Sequence, residues 1–419
     1  MKRTLILFLG ILLLLVGFKD KYIDINSIPR PDCTGKTSIW HEYSKNAVRI
    51  LVIPDSPSDI AEFNKMFLVV KEGYPDSLIR RESELRPEDF NNALKIYGNI
   101  NDFKSWEKFD LPIKQLDNGY EFNSHKYLDD LDGLFYFSEK RMVFTGNSMK
   151  IITELQTQTA VYKYILFDDG LLSKYCLPDG SVIDIDNVRK SNFFEKSTNY
   201  FNLFVDRHFA KATTISDSVV IDICKRMQIP LPDYKINAFL HDGANSTRLF
   251  SNFFFMAGCD TLEQNHVINT VHMNGIHING LDLRIIEHEA LHLIWNTSMG
   301  SPGNQSFLNE GIVEYYMQLL DSSRIEQNIQ VLKRHPGNNL KMLIIRGNGN
   351  DFWGGLSENN RPIAYNISGL FVKYLIDNWS LETFKNFYPV TEREQAYKEF
   401  YGLTPEEIEQ GFYNWIEKS

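Results

Sequence analysis

Leu283-Arg284-Ile285-Ile286-Glu287-His288-Glu289-Ala290-Leu291-His292-Leu293-Ile294-Trp295 is an apolar run that carries two histidines four residues apart. No Pro or Gly interrupts it from Leu281 to Trp295, so it reads as a buried helix. Two histidines at i and i+4 project the same way, one turn apart. That spacing lets both imidazoles reach one metal ion, with Glu289 beside the open coordination position. The turn-forming run Met299-Gly300-Ser301-Pro302-Gly303-Asn304 ends the helix. A second helix is expected from Ser306, which suits the capping position, and it carries Glu310 and Glu314 on one face. Glu310 sits eighteen positions after His292, in Leu308-Asn309-Glu310-Gly311, and offers a third ligand. Either histidine alone reads as well as a buried residue satisfying a hydrogen bond. Three ligands and a base in this order favour one Zn2+ ion and hydrolysis by a zinc-activated water.

On the HEALH helix and the LNEG segment that opens the next one, the sequence resembles the gluzincins, the metallopeptidases that include thermolysin and the aminopeptidase N type. The resemblance implies that His288, His292 and Glu310 hold zinc and that Glu289 is the general base. The loop between His292 and Glu310 is one residue shorter than is usual in the aminopeptidase N group, a difference a loop absorbs. Gluzincins also place a tyrosine in a downstream helix, opposite the metal. Tyr365, in Ala364-Tyr365-Asn366-Ile367-Ser368-Gly369-Leu370-Phe371, is the candidate, with a core tyrosine as the alternative. The likeness is sharp over residues 265–320, weaker over 200–265 and 360–419, and absent from the first 190. It implies an α+β catalytic domain with a small sheet, zinc-binding helices and a helical C-terminal part. One feature departs from the aminopeptidases. They carry Gly-x-Met-Glu-Asn ahead of the zinc helix, to grip a free amino terminus. Here that region reads Val271-His272-Met273-Asn274-Gly275-Ile276-His277-Ile278. Endopeptidase or general peptidase activity on a peptide or protein substrate is therefore the better expectation.

Ligand histidines usually donate their second N–H to a carboxylate or a carbonyl. Glu314, one turn beyond Glu310, is the candidate partner for His288; the alternative is a solvated helix glutamate. Glu287 projects about 100° away from His288 and reads as structural. Ile268–Met273 and Ile276–Ile278, separated by Asn274-Gly275, read as a hairpin whose strand edge suits an extended peptide. His272 and His277 are expected to be strand residues and not ligands.

The remaining sequence bounds the context. The chain has 419 residues, 43% hydrophobic and 23% charged, enough for two or three globular domains. A net charge of −10 argues against nucleic acid as a partner. Lys2 and Arg3 precede an apolar run, residues 4–18, which is shorter than the roughly 20 residues a membrane helix needs. Residues 1–22 are expected to be a signal peptide or a signal anchor, so the body is exported, either secreted or held at a membrane. Phe18 stands where a lipoprotein requires cysteine, which excludes lipidation there. Cys33, Cys176, Cys224 and Cys259 form no C-x-x-C pair; export permits disulfides, with Cys224 a core candidate. Residues 23–160 are expected to form a separate mixed α/β domain, 161–198 a β-hairpin connector, 199–320 the metallopeptidase core and 321–419 its helical C-terminal part. Asp129-Asp130-Leu131-Asp132-Gly133 hints at calcium but reads as an acidic turn, and Phe144-Thr145-Gly146-Asn147-Ser148 reads as an ordinary βα turn. Two other functions stay open: a binding or scaffold protein that retains a zinc site, and a non-peptidase hydrolase on the same scaffold.

Overall fold

Continuous apolar strands such as Ile50-Leu51-Val52-Ile53 need cover on both faces, which favours parallel pairing at the centre of a sheet. The computed structural model describes residues 45–71, 74–156, 162–209, 215–243, 270–272, 275–300, 306–334 and 361–419, with Ile23, Ile28 and Tyr43 besides. These residues form an α+β protein with sixteen strands in three sheets and eleven helices. They divide into two compact units.

The first unit, up to Phe194, contains β1 (Arg49–Ile53), α1 (Ile60–Lys71), β2 (Ile79–Arg81), β3 (Ala93–Tyr97), β4 (Ile113–Leu116), β5 (Gly119–Phe122), β6 (His125–Tyr127), β7 (Gly133–Ser138), β8 (Arg141–Gly146), α2 (Met149–Gln156), β9 (Tyr164–Asp168), β10 (Leu171–Cys176), β11 (Val182–Asp184) and α3 (Ile185–Asn192). Eight strands make one sheet in the order β11-β10-β9-β7-β8-β3-β1-β2, and β4-β5-β6 make a second. Pairs among β2, β1, β3 and β8 are parallel, and the pairs from β8 through β7 to β11 are antiparallel. An aromatic core of Phe103, Trp106, Phe109, Tyr120 and Phe122 packs with Ile50, Val52, Leu94 and Ile96.

The second unit carries the histidine motif. Its elements are β12 (Phe193–Ser197), β13 (Phe201–Asp206), α4 (Ser218–Met227), β14 (Ile236–His241), β15 (Thr270–His272), β16 (Gly275–Asn279), α5 (Leu283–Met299), α6 (Ser306–Leu320), α7 (Ser323–Arg334), α8 (Arg361–Asn378), α9 (Leu381–Phe387), α10 (Arg393–Tyr401) and α11 (Pro405–Lys418). The sheet order is β12-β13-β14-β16-β15, with β13, β14 and β16 parallel and β15 antiparallel to β16. Gly280, at φ +94°, turns the chain out of β16 towards α5. The Asp282 side chain accepts the Arg284 N–H at 2.9 Å and caps that helix, and Gly300 ends it.

α6 and α8 pack closely against each other. A Cβ on Gly311 would lie 2.7 Å from the Ser368 carbonyl oxygen, and one on Gly369 would lie 2.6 Å from Glu314 Cβ. Glycine lets the two backbones approach here, directly beside Glu310.

The HEALH helix, the helix from Ser306 and the Gly275–Asn279 strand stand where the sequence puts them. The connector expected over 161–198 is different. β9 pairs with β7, so β9, β10 and β11 extend the first sheet. Hairpin periodicity shows that strands exist but not which edge they join. Most described residues of the expected core, and all of those in the helical C-terminal part, fall within the second unit, while 206–209 and 242–243 group with the first. Residues 1–22, Cys33 and Cys259 lie outside the described residues. Cys176 and Cys224 are free and buried, Cys224 in the core as expected. Among the described residues no helix is long and apolar enough to cross a membrane.

Gly311→Ala places a methyl group against backbone that cannot rotate away. We expect it to destabilise the protein by about 1–3 kcal/mol, against a gain of up to about 1 kcal/mol from helix propensity. Urea unfolding measures the balance; an unchanged or higher midpoint contradicts the close approach.

Candidate metal centre

α5 and α6 bring three ligand atoms together. His288 Nε2 lies 3.2 Å from His292 Nε2, His292 Nε2 lies 3.2 Å from Glu310 Oε2, and His288 Nε2 lies 3.3 Å from the same oxygen. The three atoms form a nearly equilateral triangle. A tetrahedral ion with bonds of about 2.0–2.1 Å places neighbouring ligands about 3.3–3.4 Å apart, so the spacing fits zinc. Two imidazoles and one carboxylate also suit zinc better than a hard, oxygen-seeking cation. The side chains are 22% exposed at His288, 7% at His292 and 13% at Glu310, so the site opens on the His288 side.

Electrostatics bind the triangle even without a cation. Burial opposes charge on His292, but the Glu310 carboxylate outweighs it and pushes the imidazole up to about 9. Burial likewise opposes charge on Glu310, yet His292 and hydrogen bonds from both imidazoles pull the carboxyl down to about 2. Glu289, between the two histidines in sequence, is pushed above the usual carboxylate range by burial; Glu310 adds to the shift and the histidines oppose it.

The structure pairs Glu314 differently from the sequence expectation. Its Oε2 accepts from Arg324 Nη2 at 3.0 Å and does not bond to His288. Arg324 lies on α7, and a guanidinium at this distance satisfies a buried carboxylate better than an imidazole edge does. Tyr365 lies half-buried on α8, one turn before Ser368 and Gly369 and thus on the same side of α8 as these contacts to α6. His277 is fully buried; its Nδ1 lies 2.7 Å from His241 Nε2, away from the triangle's ligands, and burial pushes His241 down to about 3. The side chain of His272 lies outside the described residues.

A polar cluster beside the triangle escaped the sequence reading. Asn296 Nδ2 donates to Asn309 Oδ1 at 3.0 Å, and the Tyr388 hydroxyl lies 2.8 Å from Asn296 Oδ1 and 2.9 Å from Asn309 Oδ1. His292 Nδ1 is buried without a hydrogen bond among the described residues. Two signals were present in the sequence: Asn296 follows His292 by one turn, and Asn309 precedes Glu310.

A second acidic group, Asp129, Asp132 and Asp168, gathers carboxylate oxygens within 4.8 Å of one another. The two Asp132 oxygens accept the N–H groups of Asp129 and Asp169, each at 2.8 Å. Asp132 therefore ties two turns together, in keeping with the acidic-turn reading. Asn147 Nδ2 donates to the Asp129 carbonyl at 2.8 Å, which makes the βα turn structural as well.

In comparisons with known proteins, the chain matches no family model, no curated protein and no solved structure.

A divalent metal has to displace the proton that Glu310 holds on His292. Above about pH 9 the imidazole is already neutral; below it one proton leaves for each ion bound. Zinc affinity is thus expected to rise about tenfold per pH unit from about pH 7 to about pH 9 and then to level off. Titration against a competing chelator measures this slope, and a flat profile contradicts the proton displacement.

Proposed function

We propose that the chain is an exported, zinc-dependent metallopeptidase of gluzincin type. The observation that carries this reading is the triangle of His288 Nε2, His292 Nε2 and Glu310 Oε2, 3.2–3.3 Å on each side, with Glu289 in the same helix. Bound zinc supplies a Lewis acid and a water of lowered pKa. His288, His292 and Glu310 would hold the ion. Glu289 takes a proton from the attacking water at its carboxylate and delivers it to the nitrogen of the leaving amine. Its dry surroundings favour proton uptake, the direction such a shuttle requires. Tyr365 is assigned to the substrate carbonyl oxygen, where a hydroxyl donor stabilises developing negative charge.

A peptide is favoured over other hydrolysable substrates by the sheet. Among the described residues β15 is the last strand in its order, antiparallel to β16, and α5 packs against both. An extended chain finds main-chain partners on such an edge. Without the amine-gripping glutamate of the aminopeptidases, internal peptide bonds are the expected target.

A peptide-library digest combined with metal analysis tests the proposal. Glu289→Gln is expected to keep stoichiometric zinc and to lose about 10²–10⁴-fold in turnover. Tyr365→Phe is expected to lose about 10²–10³-fold in kcat with zinc retained. A scaffold protein would behave otherwise: Glu289→Gln would leave its function intact. Purified protein without zinc and without chelator-sensitive cleavage defeats the proposal.

A further inference from the structure

We propose that Tyr388 is a positioning residue of the metal centre, setting through Asn296 and Asn309 the separation of the two helices that carry the ligands. The inference rests on the zinc-site reading above. Asn296 lies on α5 one turn after His292, and Asn309 lies on α6 immediately before Glu310. Tyr388 follows α9 and belongs to neither ligand helix. Its hydroxyl has one proton, which the two amide oxygens at 2.8 and 2.9 Å share. Asn296 closes the ring by donating to Asn309. One oxygen thus draws donors from two other elements, at the end of the helices where the ligands meet.

Tyr388 is itself held firmly. It is fully buried, and its ring packs edge-on to Trp295, with centroids 5.6 Å apart. Arg393 donates to the Tyr388 carbonyl oxygen at 2.7 Å and to that of Phe387 at 3.0 Å. The hydroxyl therefore projects from a fixed support.

Two consequences bear on the metal. Metal sites tolerate ligand displacements of only about 0.2 Å, so a small change in the α5–α6 separation deforms the triangle. Two donors on Asn309 Oδ1 also prevent the carboxamide from flipping. The side chain next to Glu310 in sequence is thereby fixed in its orientation. Tyr397 provides the contrast. It is also fully buried, but its hydroxyl has no hydrogen bond among the described residues.

The test is cobalt(II) titration of the full chain, with affinity and visible absorption read together and folding checked by circular dichroism. Tyr388→Phe is expected to lower cobalt affinity by about 10–100-fold and to shift the ligand-field bands, while Tyr397→Phe changes neither. Wild-type affinity and spectrum in Tyr388→Phe overturn the inference. So does an equal loss in Tyr397→Phe, which would mark a general core effect. Should Tyr388→Phe not fold, Asn296→Ser removes the same bridge from α5 and is expected to show the same loss; an unchanged spectrum there overturns the inference. Wild-type protein that binds neither cobalt nor zinc fails the zinc-site reading itself, an outcome distinct from these.

Discussion

Three ligand atoms facing one another at 3.2–3.3 Å are the constraint around which the second unit is organised. An α-helix supplies two of them at no extra cost, because i and i+4 side chains share a face. The third requires another helix at a fixed distance, and much of the local packing serves that distance. Gly311 and Gly369 remove the side chains that would hold α6 and α8 apart. Arg324 neutralises Glu314 one turn beyond Glu310, so the ligand helix carries a second buried carboxylate without an unpaired charge. Asn296, Asn309 and Tyr388 tie α5 to α6 from the other side.

The sheet supplies the rigid base. β14 is buried along its whole length, and it pairs in parallel with β13 and β16. Phe204, Phe239 and His277 stack in succession across these three strands, with centroids 4.4 and 4.5 Å apart. α5 leaves this base after a single glycine turn and a capped first turn, so its direction is set before the first histidine is reached. Stiffness matters here because a ligand triangle on a loosely held helix would not keep its spacing.

The parts of this site that the sequence reveals are those with local causes. HEALH declares its geometry through helix periodicity, and Gly300 and Ser306 mark where one helix stops and the next starts. The hidden parts depend on which distant residue arrives. Glu314 looks like a partner for His288 on spacing alone, but Arg324, brought back by the turn into α7, takes it. Tyr388 is 92 residues from Asn296 and 79 from Asn309, and the chain has 20 tyrosines. No periodicity singles it out. The same limit explains the strands of residues 164–184. Their turns are legible at Asp169 and Gly170, both at positive φ, but the choice of β7 as partner is a tertiary outcome.

The electrostatics of the triangle bear on whether the fold would require a metal. A site of several thiolates without an ion gathers like charges and tends to unfold the domain around it. Here a proton on His292 balances the charge on Glu310, with the imidazole pushed up to about 9 and the carboxyl down to about 2. Each shift favours the ion pair, whose contribution to stability is full between the ordinary values of the two groups, 4.5 and 6.5, and is lost as the pH rises to about 9 or falls to about 2. The helices therefore have a reason to stay in place when no metal is bound. A preformed site of this kind suits an ion that works at an open position, because the polypeptide pays little to receive it. It also explains why the buried amide and tyrosine cluster matters most to ligand spacing: the ion pair keeps the helices together, and the cluster sets how far apart they stand.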